Sequence, residues 1–223
     1  MTALELIAHL RSLKNPANID GQRRFGITPK TEQLGISIPD LRSLARPYRK
    51  NHTLATGLWA SGIHDARILA AFIDDPAQVT RTQMNTWTRD FDSWDICDLT
   101  CGNLFDRTPF AFAKAQQWSA APHEFVKRAG FVLVAALAVH AKALPDETFL
   151  EFLPIIRREA IDDRNFVRKA INWALRQIGK RNQNLQRAAI AEAKAIAKID
   201  SRAARWIAKD ALRELQNNRP KHP

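Results

Sequence analysis

With 223 residues, 45% of them apolar, the chain can bury a sizeable core without disulfide staples, as one large domain or two small ones. Its formal charge of +11 excludes a generally acidic surface and points to a polyanionic partner. The opening Met1-Thr2-Ala3-Leu4-Glu5 has no basic stretch leading into an apolar run, and no apolar run nears the roughly 18 residues of a membrane span, so a soluble, cytoplasmic protein is expected.

In chain order, Leu4, Ile7, Leu10 and Leu13 recur at helical spacing over residues 2–14, and Asn15-Pro16 is read as the end of that first helix. Residues 18–27, polar and basic around the single aromatic Phe25, read as a linker, with Phe25 as its hydrophobic anchor. Ser37-Ile38-Pro39-Asp40 joins a serine cap, a first-turn proline and an acid, and opens a helix that must end or kink at Pro47. Further helices are predicted over 54–59, 64–73 and 77–91.

The stretch 87–105 is the most informative. Asp92 and Ser93 supply a helix start, and Asp95 falls where an N3 acid would answer a capping Asp92. At about 100° per residue, Trp94, Cys97, Cys101, Leu104 and Phe105 share one apolar sector, with Asp98 on its shoulder one turn from Trp94. An ionised carboxylate in such a place costs several kcal/mol unless compensated. Asp98 is therefore either a member of an interior ion pair or a group with chemistry to perform. Cys97 and Cys101 behave as small hydrophobes, and with no second Cys pair and no spaced His pair, neither a metal nor another cofactor is expected.

Charge is unevenly spread. Residues 65–106 hold eight Asp against three Arg, an acidic island that would suit a cationic ligand. The basic excess lies further on: residues 1–122 carry 14 Lys and Arg against 12 acids, residues 123–223 carry 20 against 11. That second half continues as helices over 109–118, 123–142, 146–161, 165–180, 185–199 and 202–215, and no segment alternates long enough to form a sheet. The fold class is all-α.

Phe125-Val126-Lys127-Arg128-Ala129 is echoed 41 residues later by Phe166-Val167-Arg168-Lys169-Ala170, and Ala174-Leu175-Arg176-Gln177-Ile178 is echoed after 37 by Ala211-Leu212-Arg213-Glu214-Leu215. These steps fall in or near the range of HEAT-like helical-pair repeats, which predicts one repeat domain over residues 1–216, with a basic concave face and a disordered tail over 217–223. Lys127, Arg128, Arg168, Lys169, Arg205 and Lys209 would form a basic stripe along successive helices, joined by Arg24, a cradle for double-stranded DNA. Trp59, Trp87, Trp118 and Trp206 are assigned to packing. The histidines stay unassigned, because none has a partner at catalytic spacing in the sequence.

Taken together, Ser93-Trp94-Asp95-Ile96-Cys97-Asp98, Phe125–Ala129 and Phe166-Val167-Arg168-Lys169-Ala170-Ile171-Asn172-Trp173-Ala174-Leu175-Arg176 resemble the AlkD-type DNA alkylation repair proteins over nearly the whole chain. These are HEAT-like DNA glycosylases that remove N3- and N7-alkylated purines. The resemblance implies a catalytic Asp98 paired with Trp94, a second active-site tryptophan at Trp173 and a DNA-facing arginine at Arg128, for which a structural bridge to Asp98 is the alternative. The family's excising members place an aromatic, commonly Tyr, near the lesion. Phe25 is the best match here, and Arg23-Arg24-Phe25-Gly26-Ile27 departs from that pattern.

The chemistry is consistent. An alkylated purine is a cation and a good leaving group, so its release builds positive charge on deoxyribose, which a carboxylate stabilises as it does in glycosidases. Indole faces add roughly 0.5 to 2 kcal/mol each. No acid is needed to protonate the leaving base. A monomer acting without cofactor is expected; the alternatives are a non-catalytic HEAT-like module binding DNA or RNA, and a protein scaffold.

Overall fold

The computed structural model describes residues 2–217, and the expected tail lies outside them from residue 218 on. Among these residues the chain is all-α, with fourteen α-helices, no strand, and no helix long and apolar enough to cross a membrane. It divides into two compact units, Met1–Pro109 and Phe110–Pro223.

The first unit contains α1 (Ala3–Ser12), α2 (Pro16–Arg24), α3 (Ile38–Ala45), α4 (His52–Ala60), α5 (His64–Ile73), α6 (Arg81–Arg89) and α7 (Trp94–Asn103). Helix α1 starts in a reciprocal box between Thr2 and Glu5. The expected linker is a helix. Asn15 caps α2 through the Asn18 N–H and Pro16 occupies its first turn, so the dipeptide read as a stop is a start. Helix α2 buries no residue, which is why periodicity does not reveal it. Helix α6 begins four residues later than predicted, at the Thr80 cap.

Helix α5 is the centre of this unit. Buried on nearly every side, it packs against α3, α4 and α7. An aromatic cluster links α4 and α6 to the chain on either side of α7: the Trp59 and Trp87 rings stack 3.9 Å apart, with Phe91 and Phe105 against them.

The second unit contains α8 (Ala111–Ser119), α9 (Glu124–His140), α10 (Asp146–Leu150), α11 (Phe152–Glu159), α12 (Asn165–Gly179), α13 (Gln183–Ile196) and α14 (Arg202–Asn217). The predicted 146–161 helix is broken at Glu151, just before Pro154, which lacks the N–H that would bond back one turn. The pairs α8–α9, α11–α12 and α13–α14 are joined through α9 on α12 and α12 on α14. This is the predicted repeat made physical. The echoed Phe125 and Phe166 rings stand 5.7 Å apart, and the second echo meets in a polar seam where Asn172 donates to Asp210 at 2.6 Å and Arg176 and Lys180 share Glu214.

Candidate functional site

The start of α7 is fixed differently from the sequence expectation. Ser93 occupies the cap position, and Asp92 instead accepts from the Lys30 N–H at 2.8 Å and the Thr31 hydroxyl at 3.4 Å. Asp95, 7% exposed, accepts from the Ser93 hydroxyl and stands 2.8 Å from Nε2 of His64, itself 2% exposed at the start of α5. Burial pulls the His64 pKa down, but the hydrogen bond and charge of Asp95, with Asp65 and Asp92 behind it, outweigh burial and raise it. Burial pushes Asp95 up, and His64 and Ser93 hold it below the ordinary carboxylate range. A buried, charge-assisted pair thus ties α7 to α5.

The same elements hold the chain that precedes α3. The Asp65 carboxylate accepts from the Leu34 and Ile36 N–H groups at 2.7 and 2.8 Å, and the His64 N–H donates to the Glu32 carbonyl at 2.8 Å. With Asp74, Asp75 and Asp90 likewise holding donors within the unit, six of the eight aspartates of the acidic island serve the fold. Most of the island therefore braces the unit, which narrows its reading as a landing place for a cation.

On this footing α7 presents Trp94 and Asp98, four residues apart and therefore neighbours on one helix face. Both are half-buried, while Ile96, Cys97 and Cys101 beneath them are fully buried. Burial, with Cys97 beside it, pushes the Cys101 thiol well up, so Cys101 packs rather than reacts. The Trp94 indole N–H donates to the Phe25 carbonyl at 3.1 Å. Phe25 follows α2 and is 76% exposed, so it is not the expected hydrophobic anchor; its main chain is tied to Trp94 and its ring stands in solvent.

In the second unit Trp173 is half-buried on α12, and Arg128, 6% exposed, donates to the Phe166 carbonyl at 2.6 Å. The expected basic stripe is uneven. Lys127 is largely covered, with its ammonium between Glu159 at 2.7 Å and Asp162 at 3.2 Å. The Arg168 guanidinium lies 4.6 Å above the half-buried Trp206 ring, which makes that tryptophan a platform for a cation rather than core filler. Lys169, Arg205 and Lys209 are exposed, Arg205 pairing with Asp200 at 2.8 Å; Arg24 of the first unit is exposed as well.

Residues 6–215, nearly all of the chain, match the family described as DNA alkylation repair enzyme. The chain belongs to the DNA alkylation repair enzyme family. Uncharacterized proteins of Listeria innocua and Listeria monocytogenes are 25% and 24% identical to it, each alignment covering 87% of this chain and 86% of the relative. A solved structure described as "a new family of proteins related to the HEAT-like repeat DNA glycosylases with affinity for branched DNA structures" superposes with a TM-score of 0.78 at 19% identity, over 99% of this chain and 98% of the other. The fold of this DNA alkylation repair family member is therefore a HEAT-like helical repeat.

Sequence reasoning missed His64. Its partner is 31 residues away, so linear spacing carries no sign of the pair. The usable signal is the dipeptide His64-Asp65 at the head of a helix that is apolar beyond Arg67, two polar side chains that burial obliges to find partners.

Proposed function

We propose that this chain is a DNA glycosylase that excises cationic N3- and N7-alkylated purines from duplex DNA. The observation that carries the reading is the placing of Asp98 one turn from Trp94 on α7, both half-buried on a helix whose Ile96, Cys97, Thr100 and Cys101 are buried. Membership of a DNA alkylation repair family supports it.

The bond between deoxyribose C1′ and the purine nitrogen breaks, and its electron pair passes to the base and cancels the base's charge. Positive charge then sits on the sugar, where the Asp98 carboxylate lowers its energy. Water adds to C1′ and gives up a proton to complete hydrolysis. The Trp94 face lends further stabilisation to the cationic centre. Phe25, exposed and held through its carbonyl by Trp94, is the aromatic offered to the lesion. By family resemblance Trp173 and Arg128 act near the lesion, while the exposed Arg24, Lys169, Arg205 and Lys209, with Arg168, contact phosphates. The covered, doubly paired Lys127 is left out of that set.

Because the proposed site supplies no acid to the leaving base, the substrate must bring its own charge. Duplexes carrying N7-methylguanine and its neutral 7-deaza analogue separate this from other glycosylase chemistry. Release of the first alone is expected, and release of both would refute the mechanism. A second reading, a non-catalytic DNA-binding module, is favoured by Phe25 where excising relatives commonly carry Tyr, and by the fold match to a protein described as having affinity for branched DNA structures. Salt-sensitive DNA binding without release of either base would select it.

A further inference from the structure

The first unit contains a cleft of about 1010 Å³ at the C-terminal ends of α3, α5 and α7. Arg42, Arg46, Arg49, Lys50 and Arg107 line it, and all five are exposed. Several exposed arginines elsewhere hold an acid, as Arg11 holds Glu32, Arg157 holds Glu192 and Arg213 holds Asp210. Among the described residues none of these five forms a salt bridge. The cleft also touches Asp74 and Asp75, and the Gln78 and Ala77 hydrogen bonds and then the Lys50 charge hold the Asp75 carboxylate below its ordinary range, but five cations against two carboxylates leave the lining positive. Asp74 is buried between His52 and Gln83, each at 2.7 Å, and Asp75 accepts from the Ala77 N–H and the Gln78 amide at 3.2 Å.

Two further features define what fits. The Arg42 guanidinium lies 4.5 Å above the Phe72 ring, so the one aromatic wall is covered by a cation. Lys50 has a φ of 62°, the left-handed region that favours glycine, so this lysine carries backbone strain. Exposed cations that outnumber the neighbouring acids in an open row suit a repeating anion better than a single buried phosphate.

We propose that this cleft binds the phosphodiester backbone of DNA, as a contact surface at the far end of α7, about 14 Å along the helix from Trp94. Sequence charge counts conceal it, because the first half is nearly neutral overall and Arg107 joins Arg42, Arg46, Arg49 and Lys50 only in the fold. The inference rests on the reading that the chain acts on DNA, but not on catalysis.

The test is fluorescence anisotropy of the full chain with a labelled undamaged duplex over a range of salt, comparing wild type, Arg46→Gln/Arg49→Gln and Lys50→Gly. Each phosphate contact contributes about 0.9 to the slope of log affinity against log salt. The double variant should be shallower by about 2 and bind on the order of tenfold more weakly at low salt, and Lys50→Gly should be shallower by about 1. Lys50→Gly should keep or raise Tm, since glycine relieves the positive φ, so its loss of affinity cannot be laid to unfolding. Unchanged slopes would overturn the proposal. So would thermal stabilisation by inorganic phosphate that depends on Arg46 and Arg49 while the DNA slope does not, which would mark a small-anion site. Release of N7-methylguanine, followed in parallel, separates the two claims. Shallower slopes with no release by wild type would sink the glycosylase reading and leave the cleft standing; release with unchanged slopes would do the reverse.

Discussion

Replacing His64 with Ala tests the joint between α5 and α7. The imidazole is the principal partner of the buried Asp95 carboxylate, and leaving one member of a buried pair alone costs about 3–5 kcal/mol. At about 2–4 °C per kcal/mol for a chain of this size, Tm should fall by about 6–20 °C. Asp95→Ala should cost a similar amount, and the double variant about 1–3 kcal/mol less than the sum, because the second substitution removes the stranded partner. Folded His64 holds its proton more tightly than the unfolded chain does. Its contribution is therefore complete below its ordinary value of 6.5 and fades as pH rises through the raised folded value. Asp95 contributes above its ordinary 3.8 and loses that contribution as pH falls through its lowered value. The stability gap between wild type and the double variant should therefore be widest between about pH 4 and 6.5. Urea unfolding of the four proteins across pH measures it. Costs that add to within about 0.5 kcal/mol, or a gap that does not vary with pH, would refute the ion-pair account.

Gly130 on α9 lies against the backbone of Trp118 and Ser119, where an added Cβ would meet the Trp118 carbonyl carbon at 2.8 Å. Gly130→Ala should therefore destabilise by about 1–3 kcal/mol, read by chemical denaturation, because backbone cannot swing aside. Phe25→Ala should leave Tm within about 1 °C, since the ring is exposed, yet lower single-turnover excision; a large Tm loss would return Phe25 to a structural role.

Periodicity and capping residues made much of the fold legible: α3 starts at its Ser37 cap, α5 spans the predicted residues, and the Phe125 and Phe166 echoes pack together. Helix α2 escaped because it buries nothing, so its only marks are Asn15 and Pro16, and the same pair also reads as the end of α1. The break at Glu151 was marked in the sequence by Pro154. At the candidate site, the position of Asp98 beside Trp94 follows from helical spacing, whereas the pairing of His64 with Asp95 and the gathering of Arg107 with Arg42 depend on tertiary folding. The acidic island is only partly legible for a related reason. A carboxylate's ligand cannot be read from its density in sequence when backbone N–H groups of residues 30–36 compete for it.

The most direct test of the central claim is single-turnover release of 7-methylguanine and 3-methyladenine from methylated duplex DNA, with wild type beside Asp98→Asn. The account predicts release by wild type, none by Asp98→Asn, and DNA affinity equal or higher in the variant, since a negative charge near phosphates is gone. Equal release by both proteins would contradict it, as would an unfolded Asp98→Asn beside a wild type that releases nothing, which would make Asp98 a structural residue.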